Sequence, residues 1–109
     1  MPPDRCILAF DTAARHISVA LWRGGAVLAD YHNAQARGQA EDLMPAIDNV
    51  LARAGVQFAD LDVIAVGVGP GNFTGIRISV AAARGLALGL GVPAVGVNGF
   101  QAIWVDAPR

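Results

Sequence analysis

The stretch Val66-Gly-Val-Gly-Pro-Gly-Asn-Phe-Thr-Gly-Ile-Arg77 decides the fold of this chain. Before it, Leu61-Asp-Val-Ile-Ala-Val-Gly67 has the apolar, β-branched composition of a buried strand. After it, apolar residues continue without a proline from Phe73 to about Gly89, which predicts a long helix. A strand, a glycine-rich turn and a helix in that order are the building unit of an α/β layer fold. Glycines let the turn bend sharply, and the free amides of a helix start favour an anion. Asn72 or Thr74 can cap the helix. Three uses fit the turn Gly69, Pro70, Gly71, Asn72, Phe73, Thr74, Gly75: a phosphate cradle, a contact loop, or a plain packed strand-to-helix turn. Glycine spacing alone favours the last. A Walker loop is excluded, because the chain contains no lysine.

Upstream, Arg5-Cys-Ile-Leu-Ala-Phe-Asp11 reads as a buried first strand. His16-Ile-Ser-Val-Ala-Leu-Trp22 alternates with period two, and Ala26-Val-Leu-Ala-Asp-Tyr31 follows across Arg23-Gly24-Gly25, where glycines supply the positive φ of a tight hairpin. From Gln39 the period becomes helical: Leu43, Ile47, Val50, Leu51 and Ala54 share one face, and Gly55 is placed to end the helix. Pro45 belongs in a first turn or at a kink, so the regular helix is expected from about Met44. Downstream, Pro93-Ala-Val-Gly-Val97 is a short strand, and Phe100 to Trp104 read as the opening turn of another helix. The expected order is β-β-β-α-β-α-β, a three-stranded antiparallel meander continued by parallel strands.

Composition narrows the function classes. The chain has 109 residues, room for one domain, with 54% hydrophobic and 16% charged residues. Its net charge is -1, and its eight basic residues, all arginines, are dispersed, so it lacks the basic footprint of a nucleic-acid binder. A mean hydropathy of +0.45 is the reverse of a disordered composition. So few charges imply either deep burial or surface covered by something else. Gly85 to Val105 is uncharged but holds five glycines, Pro93, Asn98 and Gln101, which argues against a membrane-spanning helix. The opening Met-Pro-Pro-Asp-Arg lacks the apolar core of a signal peptide, and the cytoplasm is the expected location. Cys6, the single cysteine, is expected to be a buried thiol.

Among candidate site residues, Asp11 and Thr12 end the first strand, where nucleotide-binding folds place a magnesium-facing carboxylate; an Asp satisfying turn amides fits equally. His16 and His32 read as solvated edge histidines. Arg77 opposes the dipole in the first turn of its helix and suits a carboxylate or phosphate partner. The second helix is apolar nearly all round, and Ala81, Gly85 and Gly89, spaced by four, form a smooth strip. One face must pack internally; the other predicts a subunit interface.

Ile7-Leu-Ala-Phe-Asp-Thr-Ala13, Ser18-Val-Ala-Leu-Trp22, Leu43-Met-Pro45, Gly85-Leu-Ala-Leu-Gly89 and above all Gly69-Pro-Gly-Asn-Phe-Thr-Gly-Ile-Arg77 resemble TsaB (YeaZ-type) proteins, over about residues 5–103. The resemblance implies an actin-like ATPase (ribonuclease H-like) N-terminal lobe over residues 1–109, without the C-terminal lobe. It further implies a non-catalytic scaffold and activator subunit in making the threonylcarbamoyladenosine (t6A) of tRNA. Its partners would be a catalytic TsaD-like paralogue and a TsaE-like ATPase, with a homodimer when alone and tRNA met only indirectly. The interface implied by the resemblance and the apolar helix comprises Leu43, Ile47, Arg77, Ala81, Arg84, Gly85, Leu88 and Gly89. No cofactor is expected on this chain alone; ATP and a metal belong to the partner subunits. The paralogue's paired metal histidines would fall near Gly99 and Ile103, and no histidine follows His32. Many relatives carry a histidine near Gln39. In the Asp11-Thr-Ala-Ala-Arg15 segment, side chains replace the glycine of active phosphate hairpins. The competing readings are a nucleotide-binding ATPase or phosphotransferase lobe built on Asp11 and the Gly69–Arg77 turn, and an inactive metallopeptidase-like relative. Trp104 is expected to be exposed where a second lobe would pack.

Overall fold

The computed structural model describes residues 5–12, 15–34, 37–68, 73–98 and 101–106. Strand β1 (Cys6–Asp11) pairs antiparallel with β2 (His16–Arg23), and β2 with β3 (Ala26–Ala34). Gly24 and Gly25, at φ 64° and 79°, turn the β2–β3 hairpin with the two positive φ values that type I′ requires. Helix α1 (Gln39–Ala54) leads through a 3-10 turn at Phe58–Asp60 to β4 (Val63–Gly67), which lies parallel to β1. Helix α2 (Phe73–Leu90) then leads to β5 (Ala94–Asn98), parallel to β4. A sixth strand, β6 (Gln101–Asp106), closes the sheet antiparallel to β5, giving the order β3-β2-β1-β4-β5-β6.

Two expectations about elements need correction. The segment read as a helix opening at residues 100–104 is strand from Gln101 onward. Asn98 and Gln101 face each other in the register, so only residues 99 and 100 separate the strands. A glycine as the first of two connecting residues, Gly99-Phe100, followed by the apolar run Ala102-Ile-Trp-Val105, is a hairpin signal in the sequence. Helix α1 begins at Gln39, not near Met44, and carries Pro45 inside it. Pro45 cannot donate to the Glu41 carbonyl, but both residues are exposed, so that carbonyl remains open to solvent. The N-cap Gly38 (φ 77°) has its carbonyl bonded by the amides of Glu41 and Asp42. As expected, Gly55 ends the helix at φ 68°, with Val56 N–H donating to the Leu51 carbonyl in a Schellman-type closure.

The core occupies one face of the sheet. Alternate strand residues Leu8, Phe10, Ile17, Val19, Leu21, Ile64 and Val66 share a single buried cluster with Leu43, Ile47, Val50 and Leu51 of α1 and Ala83 and Ala87 of α2. Both helices therefore pack on the same face. The intervening residues Ile7, Ala9, Asp11, Ser18, Ala20, Ala65 and Gly67 look the other way, as the period of two requires. Cys6 is fully buried, and that burial is the main cause pushing its thiol pKa above the ordinary range. Its amide donates to the Asp62 carboxylate at 2.8 Å, and the Asp62 amide returns a bond of 2.8 Å to the Cys6 carbonyl. Among the described residues, no helix is long and apolar enough to cross a membrane.

Candidate functional site

The parallel strands β1 and β4 end side by side at Asp11 and Gly67, at the carboxyl edge where open α/β sheets place their ligand sites. The Asp11 carboxyl lies directly over Gly67. A Cβ added at Gly67 would fall 2.6 Å from Asp11 Cγ and 2.7 and 2.9 Å from its oxygens. Gly67→Ala is accordingly expected to cost about 1–3 kcal/mol in urea unfolding, because the short Asp11 side chain must swing away. A Gly67→Ala/Asp11→Ala double variant should recover most of that loss.

Thr12 departs from β1 with no exposed surface, and its hydroxyl donates to the Gly75 carbonyl in the first turn of α2 at 2.6 Å. The same carbonyl accepts the Ser79 hydroxyl at 3.2 Å. From the start of α1, the Gln39 side-chain amide donates to the His16 carbonyl at 2.6 Å and the Thr12 carbonyl at 3.3 Å. Gln39, near which the resemblance implies a histidine in many relatives, thus clamps both ends of the β1–β2 connection. A polar residue opening a helix hints at such a role, but its partners lie 23 and 27 residues away and only the fold brings them together.

A depression of about 470 Å³ lies over the second face of the sheet. Ala9, Ala20, Ala65 and Gly67 give it small floor residues, and Asp11, Ser18, Asp30 and His32 give it polar ones. Ser18 Oγ lies 2.6 Å from His32 Nδ1, and the His16 and His32 rings meet at 5.1 Å. His32 is exposed on β3, as an edge histidine should be. Among the described residues, no group of three or more His, Cys, Asp or Glu side chains could hold a metal ion.

The other surface of note is the outer face of α2. Arg77, Ala81, Arg84, Gly85, Leu88 and Gly89 are all exposed, and their spacing puts them on one stripe. Leu88 is 81% exposed, and a Cβ at Gly85 or Gly89 would meet nothing within 4 Å. Leu43 and Ile47, grouped with these residues from the sequence, do not belong to that surface. They are 1% and 0% exposed, because the apolar face of α1 packs onto β2 and β3. Of the glycine turn, Thr74 and Gly75 lie in the first turn of α2, and Phe73 opens it. Gly69, Pro70, Gly71 and Asn72 lie outside the described residues, as do Gly99 and the side chain of Trp104.

The family model described as TsaD, tRNA N6-adenosine threonylcarbamoyltransferase, matches residues 26–107. The tRNA threonylcarbamoyladenosine biosynthesis protein TsaB of Escherichia coli (strain K12) is 41% identical over 92 residues, covering 84% of this chain and 39% of that protein. A tRNA N6-adenosine threonylcarbamoyltransferase of Jannaschia sp. (strain CCS1) is 49% identical over 63 residues, 58% of this chain and 18% of that protein. YeaZ from Pseudomonas aeruginosa superposes with a TM-score of 0.82 at 38% identity, over 86% of this chain and 44% of that one. The chain thus spans less than half the length of these relatives. The fold is the mixed α/β, ribonuclease H-like sheet that the YeaZ match and the family model share. By the family model, the identities and the superposed fold together, the chain belongs to the TsaD family, as a TsaB (YeaZ)-type member.

Proposed function

We propose that the chain serves tRNA t6A biosynthesis as a non-catalytic scaffold lobe. It binds a TsaD-type catalytic paralogue through the outer face of α2 and activates it. The observation that carries this reading is the α2 stripe. Glycine in a helix costs about 0.8–1.0 kcal/mol relative to alanine, and neither Gly85 nor Gly89 repays that by packing inside the chain. Both are useful to a helix of another subunit that must approach closely. Leu88 supplies an apolar anchor, and Arg77 and Arg84 offer charge to a carboxylate-bearing partner. The same surface serves a homodimer when the paralogue is absent. A TsaE-like ATPase completes the assembly in the cytoplasm, and ATP and metal reside in those partners.

The test is copurification with a tRNA N6-adenosine threonylcarbamoyltransferase, followed by a t6A assay with and without this chain. A complex and a stimulated rate are expected; no complex and no stimulation would refute the reading. The placement of Asp11 over Gly67 at the strand ends favours a second reading, a nucleotide-binding lobe. Calorimetric titration with ATP and magnesium separates the two, since tight binding by this chain alone belongs only to the second.

A further inference from the structure

We infer that Thr12 is a positioning residue, whose buried hydroxyl fixes α2 so that its outer face is presented in binding register. The inference rests on the proposed use of that face. Hydrophobic burial holds α2 onto the sheet but is non-directional. The buried stripe of α2 is Gly75, Ser79, Ala83 and Ala87, spaced by four and made only of small residues. Such a stripe resists rotation and sliding less than one carrying large interlocking side chains, although Ile78, Val80, Leu86 and Leu90 pack partly on either side. A hydrogen bond supplies direction. The Thr12 hydroxyl reaches Gly75 at 2.6 Å across 63 residues of sequence, at the first turn of the helix. Gly75 lies between exposed Thr74 and exposed Arg77, where the outer stripe begins. A helix turns about 100° per residue, so a tie at this point sets the direction in which Arg77, Ala81 and Gly85 face.

Thr12 is itself immobilised from the other side. Gln39 holds its carbonyl at 3.3 Å and the His16 carbonyl at 2.6 Å, so the start of α1, the β1–β2 connection and the start of α2 form one polar chain. Thr12 touches no surface a partner could reach, and its effect on binding is therefore indirect.

The experiment measures the dissociation constant for a TsaD-type partner and hydrogen exchange in the first turn of α2. Thr12→Val keeps the side-chain shape and removes the hydroxyl; Thr12→Ser restores a hydroxyl. Thr12→Val is expected to weaken binding by about three- to tenfold and to speed exchange at residues 76–79, with Thr12→Ser close to the parent in both. Leu21→Ala, a core truncation on β2, serves as the stability control and should leave the dissociation constant unchanged despite a lower melting temperature. Parent-like binding by Thr12→Val overturns the inference, and so does an equal loss in Leu21→Ala. The Ala81→Arg variant separates this failure from that of the underlying reading. If Ala81→Arg binds normally, the α2 face itself is wrong; if it does not bind and Thr12→Val is silent, only the role of Thr12 falls.

Discussion

Ala81→Arg is expected to abolish association with the catalytic paralogue, a loss of at least about 100-fold, while the melting temperature stays where it was. The two halves of this outcome have separate causes. Ala81 is exposed at the middle of α2, and arginine is a good helix former, so the fold should change by no more than about 0.5 kcal/mol. At a closely packed helix–helix contact the same side chain places a third guanidinium between Arg77 and Arg84 and buries it without a partner. An uncompensated buried charge costs about 3–5 kcal/mol, and each 1.4 kcal/mol or so is tenfold in affinity. Gly85→Leu sharpens the contrast. Nothing lies within 4 Å of its Cβ position, so leucine should raise stability by up to about 1 kcal/mol through helix propensity. A variant both more stable and unable to bind is hard to explain except by a lost interface. Calorimetric titration against the partner, paired with thermal unfolding by circular dichroism, reads both quantities; unchanged affinity in both variants would remove α2 from the interface.

Ile47→Ala is expected to produce the opposite pattern, a loss of about 2–5 kcal/mol of stability. Ile47 has no exposed surface and belongs to the cluster that joins α1 to β1, β2 and β4. Removing its branches opens a cavity that its strand neighbours cannot collapse to fill. Leu43→Ala, one helical turn earlier and 1% exposed, should behave alike. Urea unfolding gives the magnitude. Binding should survive whenever the variant is folded, because neither side chain reaches the surface. A normal urea midpoint with lost binding would mean that α1 turns this face outward.

These two results also mark what could be read from the sequence. The apolar run ending at Asp11 located β1, period-two alternation located β2, Gly24-Gly25 located the β2–β3 hairpin, and the period of Leu43, Ile47, Val50 and Leu51 located α1. Periodicity states which residues share a face but not what that face meets. Leu43 and Ile47 were therefore open to both core and interface until the strands fixed the inward side. In α2, apolar nearly all round, the four-residue spacing of Ala81, Gly85 and Gly89 marked a smooth strip, and the sheet shows that the opposite Ala83–Ala87 side is the one that packs inward. β6 is not distinguishable by composition, because Phe100 to Trp104 fit a helix start as well as a strand; the glycine at position 99, first of the two connecting residues, is the signal for a hairpin. The strand-to-helix character of the glycine turn was legible, and Asp11 and Thr12 were placed at the right strand end. The clamp from Gln39 and the bond from Thr12 to Gly75 were not, since each joins segments distant along the chain.

The sheet order has a consequence for how the chain acquires its structure. β1-β2-β3 and β5-β6 are neighbours in sequence joined by connections of a few residues, whereas the β1–β4 pairing aligns Ile7 with Val63. Contacts between near neighbours are expected to form early because little loop entropy is lost, and a pairing that closes more than fifty residues is expected to follow the collapse of α1 onto the meander. The reciprocal hydrogen bonds between Cys6 and Asp62, 56 residues apart, one to the Asp62 carboxylate and one to the Cys6 carbonyl, sit at the start of that seam. Folding would then finish by zipping β4 onto β1, and the Asp11–Gly67 edge would be the last part of the sheet to close.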